Sequence, residues 1–173
     1  PTRRSSDLLD IAAHVIVNPL SIDTPTMKAN EIRIYEDNKC VPKNIIFDVL
    51  RNNDIIGKHL VSFSRLKNEN IKVVVGLNLQ INFLSFPIYT FEYKSDAVWH
   101  HMKLKSLNAQ QNDNGEKIVV KVSRQNNDLK IISQDSELKT DGDTFPTNHW
   151  NPKVVMKDKV INTLTGELSA VVI

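Results

Sequence analysis

The stretch IKVVVGLNLQINFL, residues 71–84, alternates apolar and polar side chains with a period of two and is the clearest strand in the sequence. Successive side chains of a strand point to opposite faces, so this alternation predicts a strand with one buried face. At about 3.3 Å per residue the strand is long, which predicts a strong twist or bend, with Gly76 as the site of a bulge or a sharp bend. The apolar face carries Val73, Val75, Leu77, Leu79, Ile81 and Phe83, and the polar face carries Lys72, Asn78, Gln80 and Asn82.

Further strands are predicted on both sides of this stretch. Residues 45–51 and 58–64 form a hairpin through Asn52, Asn53 and Asp54, which tolerate the left-handed backbone of tight turns. Residues 88–98, 102–109, 117–123 and 129–134 follow, separated by segments of turn composition such as NDNGE and QNND. Parallel neighbours need connections of about a dozen residues or more, so these short connections predict an antiparallel meander.

The C-terminal part of the sequence is predicted to pack over the apolar face of the sheet. Asn151 followed by Pro152 is typical of a helix start, so we expect a short helix over residues 152–156. Trp150 precedes this helix and would plug the concave face, while residues 160–172 predict two short strands around Thr165 and Gly166. The expected fold is mainly β: a curved antiparallel meander forming a closed or half-open barrel, with the short helix packed on or in it.

The length of 173 residues suits one domain, which we assign to residues 41–173. Residues 9–40 are expected to be a leader remnant or a linker, with Asp10 and His14 interrupting the apolar run of a signal peptide. Residues 1–8 back-translate as CCT ACA CGA CGC TCT TCC GAT CT, the constant end of a common sequencing adapter, and are expected to be an artefact. Genomic DNA that encodes the same peptide would contradict that expectation.

Composition restricts the partners. The 22 basic and 20 acidic residues give a formal charge of +2, and the basic residues are scattered singly, so nucleic acid is not an expected partner. No apolar run approaches the roughly 18 residues that a membrane-spanning helix needs, so no integral membrane segment is predicted. Cys40 is the single cysteine, which leaves the redox compartment open. We expect a periplasmic or secreted protein, with a cytoplasmic location as the alternative.

In order along the chain come five segments: IIGKH, INFLSFPIYTFEY, AVWHHMKLKSL, HWNPKVV and INTLTGEL. Their order resembles a bacterial family of exported proteins catalogued only as a domain of unknown function, and the resemblance covers roughly residues 45–168. The resemblance implies export and supplies no activity. Where relatives place glycines after the first tryptophan, this chain has His100 and His101, which removes the usual signal for a tight turn. A more distant analogy, of fold alone, is to lipoprotein-carrier-like half barrels.

No motif predicts a catalytic residue, a metal site or a cofactor. The histidines lack a helical metal-binding spacing, and Cys40 has no nearby histidine with an orienting partner. Five glycines are too few for a glycine-rich cofactor loop, and TDGDT, residues 140–144, lacks most ligands of a calcium loop and favours a solvated turn.

The remaining candidate site is apolar. The aromatic face of the strand after residue 87 and the tryptophan plug predict either a filled core or a cavity for an apolar, lipid-like small molecule. Two alternatives remain: an assembly protein that uses an exposed sheet edge, and a hydrolase that uses His149 as a general base. Oligomeric state is not predicted. The candidate ligand-binding residues are Tyr89, Phe91, Tyr93, Trp99, His149 and Trp150.

Overall fold

The computed structural model describes residues 44–134, 136–147 and 150–171. The predictions for residues 1–8 and 9–40 therefore lie outside the described residues, as does His149. The described chain is mainly β. It contains strands β1 (Ile45–Arg51), β2 (Asp54–Arg65), β3 (Asn70–Phe83), β4 (Phe86–His100), β5 (Lys103–Asp113), β6 (Glu116–Gln125), β7 (Asp128–Ser133), β8 (Ser136–Asp141), β9 (Phe145–Pro146), β10 (Lys159–Ile161) and β11 (Leu168–Ala170).

Strands β1 to β8 form one sheet in sequence order, and every neighbouring pair is antiparallel. The predicted meander is confirmed. Several connections are two-residue turns with a left-handed backbone, as at Asn52 and Asn53, whose φ values are 52° and 69°. Asn114 and Gly115 form the same kind of turn between β5 and β6. Asparagine and glycine adopt positive φ at low cost, which explains why the chain reverses at these positions.

Of the predicted closed or half-open barrel, the closed form is wrong. Strands β1 and β8 stand at the two ends of the strand order, and within the described residues no pairing joins them. The physical reason lies in the C-terminal segment, which covers the apolar face and so buries the core without edge closure. The sheet is therefore open.

Gly76 does not form the predicted bulge. It pairs in continuous register with Leu60 on one side and Lys94 on the other, and the register shift of β3 falls between Ile81 and Asn82. A close backbone approach occurs at Gly57 instead, where an added Cβ would overlap the carbonyl oxygen of Asn78. The requirement for glycine in this part of the sheet thus lies on β2 and not in the centre of β3.

The pair β3–β4 continues beyond its neighbours. Pairing of β2 with β3 ends at Leu79, and pairing of β5 with β4 ends at Phe91, whereas β3 and β4 pair as far as Phe83 and Phe86. Residues 80–90 therefore form a two-stranded extension, called here the arm. Its turn consists of Leu84 and Ser85, both with positive φ.

The C-terminal segment covers the sheet with a second, three-stranded sheet in the order β11-β10-β9. Strands β10 and β11 are the predicted hairpin, whereas β9 pairs in parallel with β10 and was not predicted. Between β9 and β10 the expected short helix is a 3-10 helix, Pro152–Met156, and its N-cap Asn151 accepts a hydrogen bond from the Lys153 N–H at 3.0 Å. No α-helix occurs among the described residues, and none of their helices is long and apolar enough to cross a membrane.

Candidate binding face

The odd-numbered residues of β4 from Tyr89 to Trp99 share one face of the sheet. Each is more buried than the even-numbered residues beside it, as expected for a strand with one covered side. Four of the six predicted site residues, Tyr89, Phe91, Tyr93 and Trp99, therefore lie on this face. We call it the β4 face, and it has two ends that differ in chemistry.

Trp99 lies at the first end, which is filled by aromatic rings. Its ring contacts Trp150 edge-on with a centroid distance of 5.5 Å and contacts Phe145 in the same manner at 5.4 Å. Trp150 also packs edge-on against Phe63 of β2 at 5.5 Å. Trp99 and Trp150 are both buried, so at this end they act as core residues.

The middle of the β4 face is closed by the turn before β11. The Ser133 hydroxyl donates a hydrogen bond to the Thr165 carbonyl oxygen at 2.7 Å, which anchors this turn to β7. Burial raises the pKa of Tyr93, an effect that the nearby side chains of Ser95 and Thr163 partly offset by hydrogen bonding to the phenolate. Tyr93 thus lies at the boundary between the filled end and the other end.

The second end carries buried polar atoms. Gln111 of β5 lies directly opposite Tyr93, is only 8% exposed, and its buried Oε1 has no hydrogen-bond partner. Asp113 lies opposite Phe91. The Tyr89 hydroxyl oxygen is also buried. Burial raises the pKa of Tyr89, and so do a hydrogen bond to the Asp113 carboxylate and the negative charge of that carboxylate. These five residues, Tyr89, Phe91, Tyr93, Gln111 and Asp113, are called the Gln111 site.

The Gln111 site combines three aromatic rings with one amide acceptor, two phenolic hydroxyls and one carboxylate. This set suits a partly apolar molecule with a donor group, such as an amide, an amine or a hydroxyl. Hydrogen bonding through these groups is one chemistry that the site can supply.

A family model described as a domain of unknown function, DUF6134, matches residues 47–173. The chain belongs to this family. The match confirms the resemblance to a family catalogued only as a domain of unknown function. No curated protein and no solved structure matches the chain. The function of this DUF6134 domain is therefore argued from its own residues.

The histidines of the DUF6134 domain are dispersed. His59 is buried and its ring lies 5.5 Å from that of Phe47. A tight turn does occur at His101 and Met102, both with positive φ, although the glycine signal is missing; it brings the His100 and His101 rings to 4.2 Å. Within residues 44–134, 136–147 and 150–171, no three His, Cys, Asp or Glu side chains are grouped so that they could hold a metal ion.

Sequence reasoning missed Gln111 and Asp113. Both lie on the same face of β5 as the buried residues Leu107 and Ala109. A polar residue at an inward position was the available signal. It was overlooked because the predicted site was built from aromatic residues alone, and the predicted strand ended at residue 109.

Proposed function

We propose that this protein is an exported, non-enzymatic binding protein whose ligand is an apolar or amphipathic small molecule with a hydrogen-bond donor. The observation that carries the proposal is the buried, unpartnered Oε1 of Gln111 beside Phe91 and Tyr93. The exported location rests on the resemblance to exported proteins. Protease protection of the natural full-length protein in intact cells tests that location.

Energetics favour a ligand at the Gln111 site. A buried acceptor without a partner costs about 1–3 kcal/mol, since it has lost its hydrogen bonds to water. A ligand N–H or O–H that reaches Gln111 removes this cost, and apolar contact with Phe91 and Tyr93 adds about 25 cal/mol per Å² of buried area. Binding then gains from both terms, whereas the free protein keeps the unpaired acceptor.

The test is native mass spectrometry of the extracted protein, together with displacement of a fluorescent fatty acid. In Gln111→Leu a side chain of similar volume replaces the acceptor, so the free protein should gain about 1 kcal/mol of stability while ligand affinity falls about tenfold. Gln110→Leu is the matched control, because Gln110 is exposed on the opposite face of β5. The proposal fails if no species is bound by the parent, or if both variants bind equally.

The second candidate function is assembly through a sheet edge. It is favoured by the open sheet, because within the described residues β1 and β8 each pair with one neighbour only. Unpaired strand edges are templates for pairing with another chain. Sedimentation that shows a monomer at all concentrations, with no captured partner after crosslinking, would contradict this function.

A further inference from the structure

The end of the arm is apolar and exposed. Four bulky side chains lie within six residues of one another: Phe83 is 63% exposed, Leu84 78%, Phe86 73% and Ile88 58%. Single exposed apolar residues are ordinary, but a contiguous group of this kind marks an interaction surface. These four residues are called the arm tip.

The arm holds this tip away from the rest of the sheet. Beyond Leu79 and Phe91 only β3 and β4 remain paired, which at about 3.3 Å per residue extends the tip by roughly 13–16 Å. A two-stranded ribbon with apolar residues at its end gains little stability in water. The projection therefore presents the tip to something outside the domain.

The turn of the arm has an unfavourable sequence for its backbone. Leu84 and Ser85 adopt φ values of 49° and 70°, in the left-handed region. Other two-residue turns of the sheet begin with Asn52, Asn114 or His101, residue types that adopt this conformation more readily than leucine does. An exposed leucine in a strained position favours a role that is not structural, since local violations of turn chemistry concentrate at functional sites.

Charge is layered along the arm. No Asp, Glu, Lys or Arg occurs at positions 73–91, and the arm behind its tip carries uncharged polar groups such as Gln80 and Thr90. Along β3 and β4 the nearest charged residues are Lys72, which is paired with Asp96 at 2.7 Å, and Glu92. The carboxylate of Asp113 on β5 lies beside Tyr89 at the base of the arm. An apolar end, an uncharged polar zone and then charged residues reproduce the order of hydrocarbon, headgroup and water in a bilayer. A protein partner or a second copy of this chain would not require that order.

We propose that the arm tip inserts into the surface of a lipid bilayer. The insertion is shallow, because the unpaired edges of a two-stranded ribbon cannot enter the hydrocarbon region. The mixed charges at the base supply no basic cluster, so apolar contact drives the interaction and zwitterionic lipid is sufficient. This proposal is independent of ligand binding at the Gln111 site.

Flotation of the full chain with phosphatidylcholine vesicles tests the proposal. The parent should float with the vesicles, and the double variant Leu84→Asn, Phe86→Ser should lower the partition coefficient about tenfold or more. Asparagine suits the turn, so the variant should retain its fold, which circular dichroism checks. Met156→Ser is the matched control, because Met156 is 82% exposed in the 3-10 helix. It should bind as the parent does.

A second measurement locates the contact. Tryptophan fluorescence of Leu84→Trp should be quenched by vesicles of brominated phosphatidylcholine, beyond the quenching in the parent, whereas Met156→Trp should show no added quenching. Three results would overturn the proposal: no flotation of the parent; release of the parent when salt rises from about 50 to about 500 mM, which indicates electrostatic adsorption; or a dimeric parent that the double variant makes monomeric without any vesicle binding.

Discussion

Trp150 connects two strands of the sheet, since its ring contacts Phe63 of β2 and Trp99 of β4. Trp150→Ala should destabilise the fold by about 3–5 kcal/mol, the usual cost of emptying a large aromatic site. Chemical denaturation measures the change. Met156→Ala, at an exposed position, should stay within about 0.5 kcal/mol of the parent. A Trp150→Ala protein that melts within a degree or two of the parent would show that Trp150 is no plug.

His149 remains a prediction from sequence. Its nearest carboxylates in the chain, Asp141 and Asp143, form a local turn in which the Asp143 N–H donates to Asp141 Oδ1 at 2.7 Å. A general base needs an orienting partner, and in this turn the Asp141 carboxylate already accepts a backbone hydrogen bond within the turn. We expect His149→Ala to change stability little and to remove no turnover in a substrate screen. Loss of a hydrolytic activity in that variant would favour the hydrolase alternative.

Tyr93 should make stability depend on alkaline pH. Because its pKa is raised in the folded state, the folded protein binds the phenolic proton more tightly than the unfolded chain does. The protonated phenol is equally present in both states below the unfolded value of about 10, so no penalty arises there. Stability should fall as pH rises above about 10. Denaturation of parent and Tyr93→Phe between about pH 8 and pH 11 checks this, and equal slopes would contradict it.

Two glycines of the sheet differ in the space around their Cα atoms: Gly57 lies close to another strand, whereas Gly76 has free space beside it. Gly57→Ala should cost about 1–3 kcal/mol, because the new Cβ overlaps the Asn78 carbonyl oxygen and the strands must shift. Gly76→Ala has nothing within 4 Å and should be neutral or stabilise by about 0.4–1 kcal/mol through the unfolded chain. Thermal unfolding compares the two variants. If Gly76→Ala proves the more harmful, the register that places Gly76 opposite Leu60 and Lys94 is incorrect.

The strands could be predicted from the sequence wherever one face is buried and the other is exposed to solvent, because apolar and polar side chains then alternate. β3 shows this best, and β1 was predicted with its observed bounds. β8 was not predicted because five of its six residues are exposed, so its sequence SELKTD shows no alternation of apolar and polar residues. β9 has only two residues and owes its existence to pairing with β10, a long-range contact that no local pattern encodes.

The candidate site shows the same division. Trp99 and Trp150 could be singled out by their size, and their shared core position followed from packing. An aromatic residue fills the core where the C-terminal segment covers it and can line a site where it does not. The sequence pattern alone does not show where that segment packs. Gln111 became visible only when the register placed it opposite Tyr93 and left its Oε1 without a partner.

The fold of the described chain combines a sheet whose strands pair with their neighbours in sequence and a C-terminal segment that covers the apolar face of that sheet. The eight strands of the meander pair in sequence order, so the sheet can form through contacts of short sequence separation. Its apolar face is buried in a single cluster with Phe145, Trp150 and Ile161 of the C-terminal segment. Arg124 of β6 fixes the turn that leads from β8 to this segment, donating from Nε to the Leu104 carbonyl at 2.8 Å and from Nη2 to the Gly142 carbonyl at 2.6 Å.

Removal of residues 144–173 should therefore abolish cooperative folding. The truncated chain, residues 1–143, would expose apolar side chains of β4 to β7, among them Trp99, Leu107, Val120, Val122 and Ile131. A sheet with one large uncovered apolar face cannot offset its conformational entropy. Anilinonaphthalene sulfonate should bind strongly, and the unfolding transition should broaden or vanish.

Addition of a synthetic peptide of residues 144–173 provides the control. The peptide should restore a cooperative transition and lower dye binding, because it returns Phe145, Trp150 and Ile161 to the cluster. The same peptide with Trp150→Ala should restore less, since it lacks the ring that joins Phe63 to Trp99. If the truncated chain alone unfolds cooperatively near the temperature of the parent, the sheet is stable without its cover, and the C-terminal segment is then free to move off the β4 face.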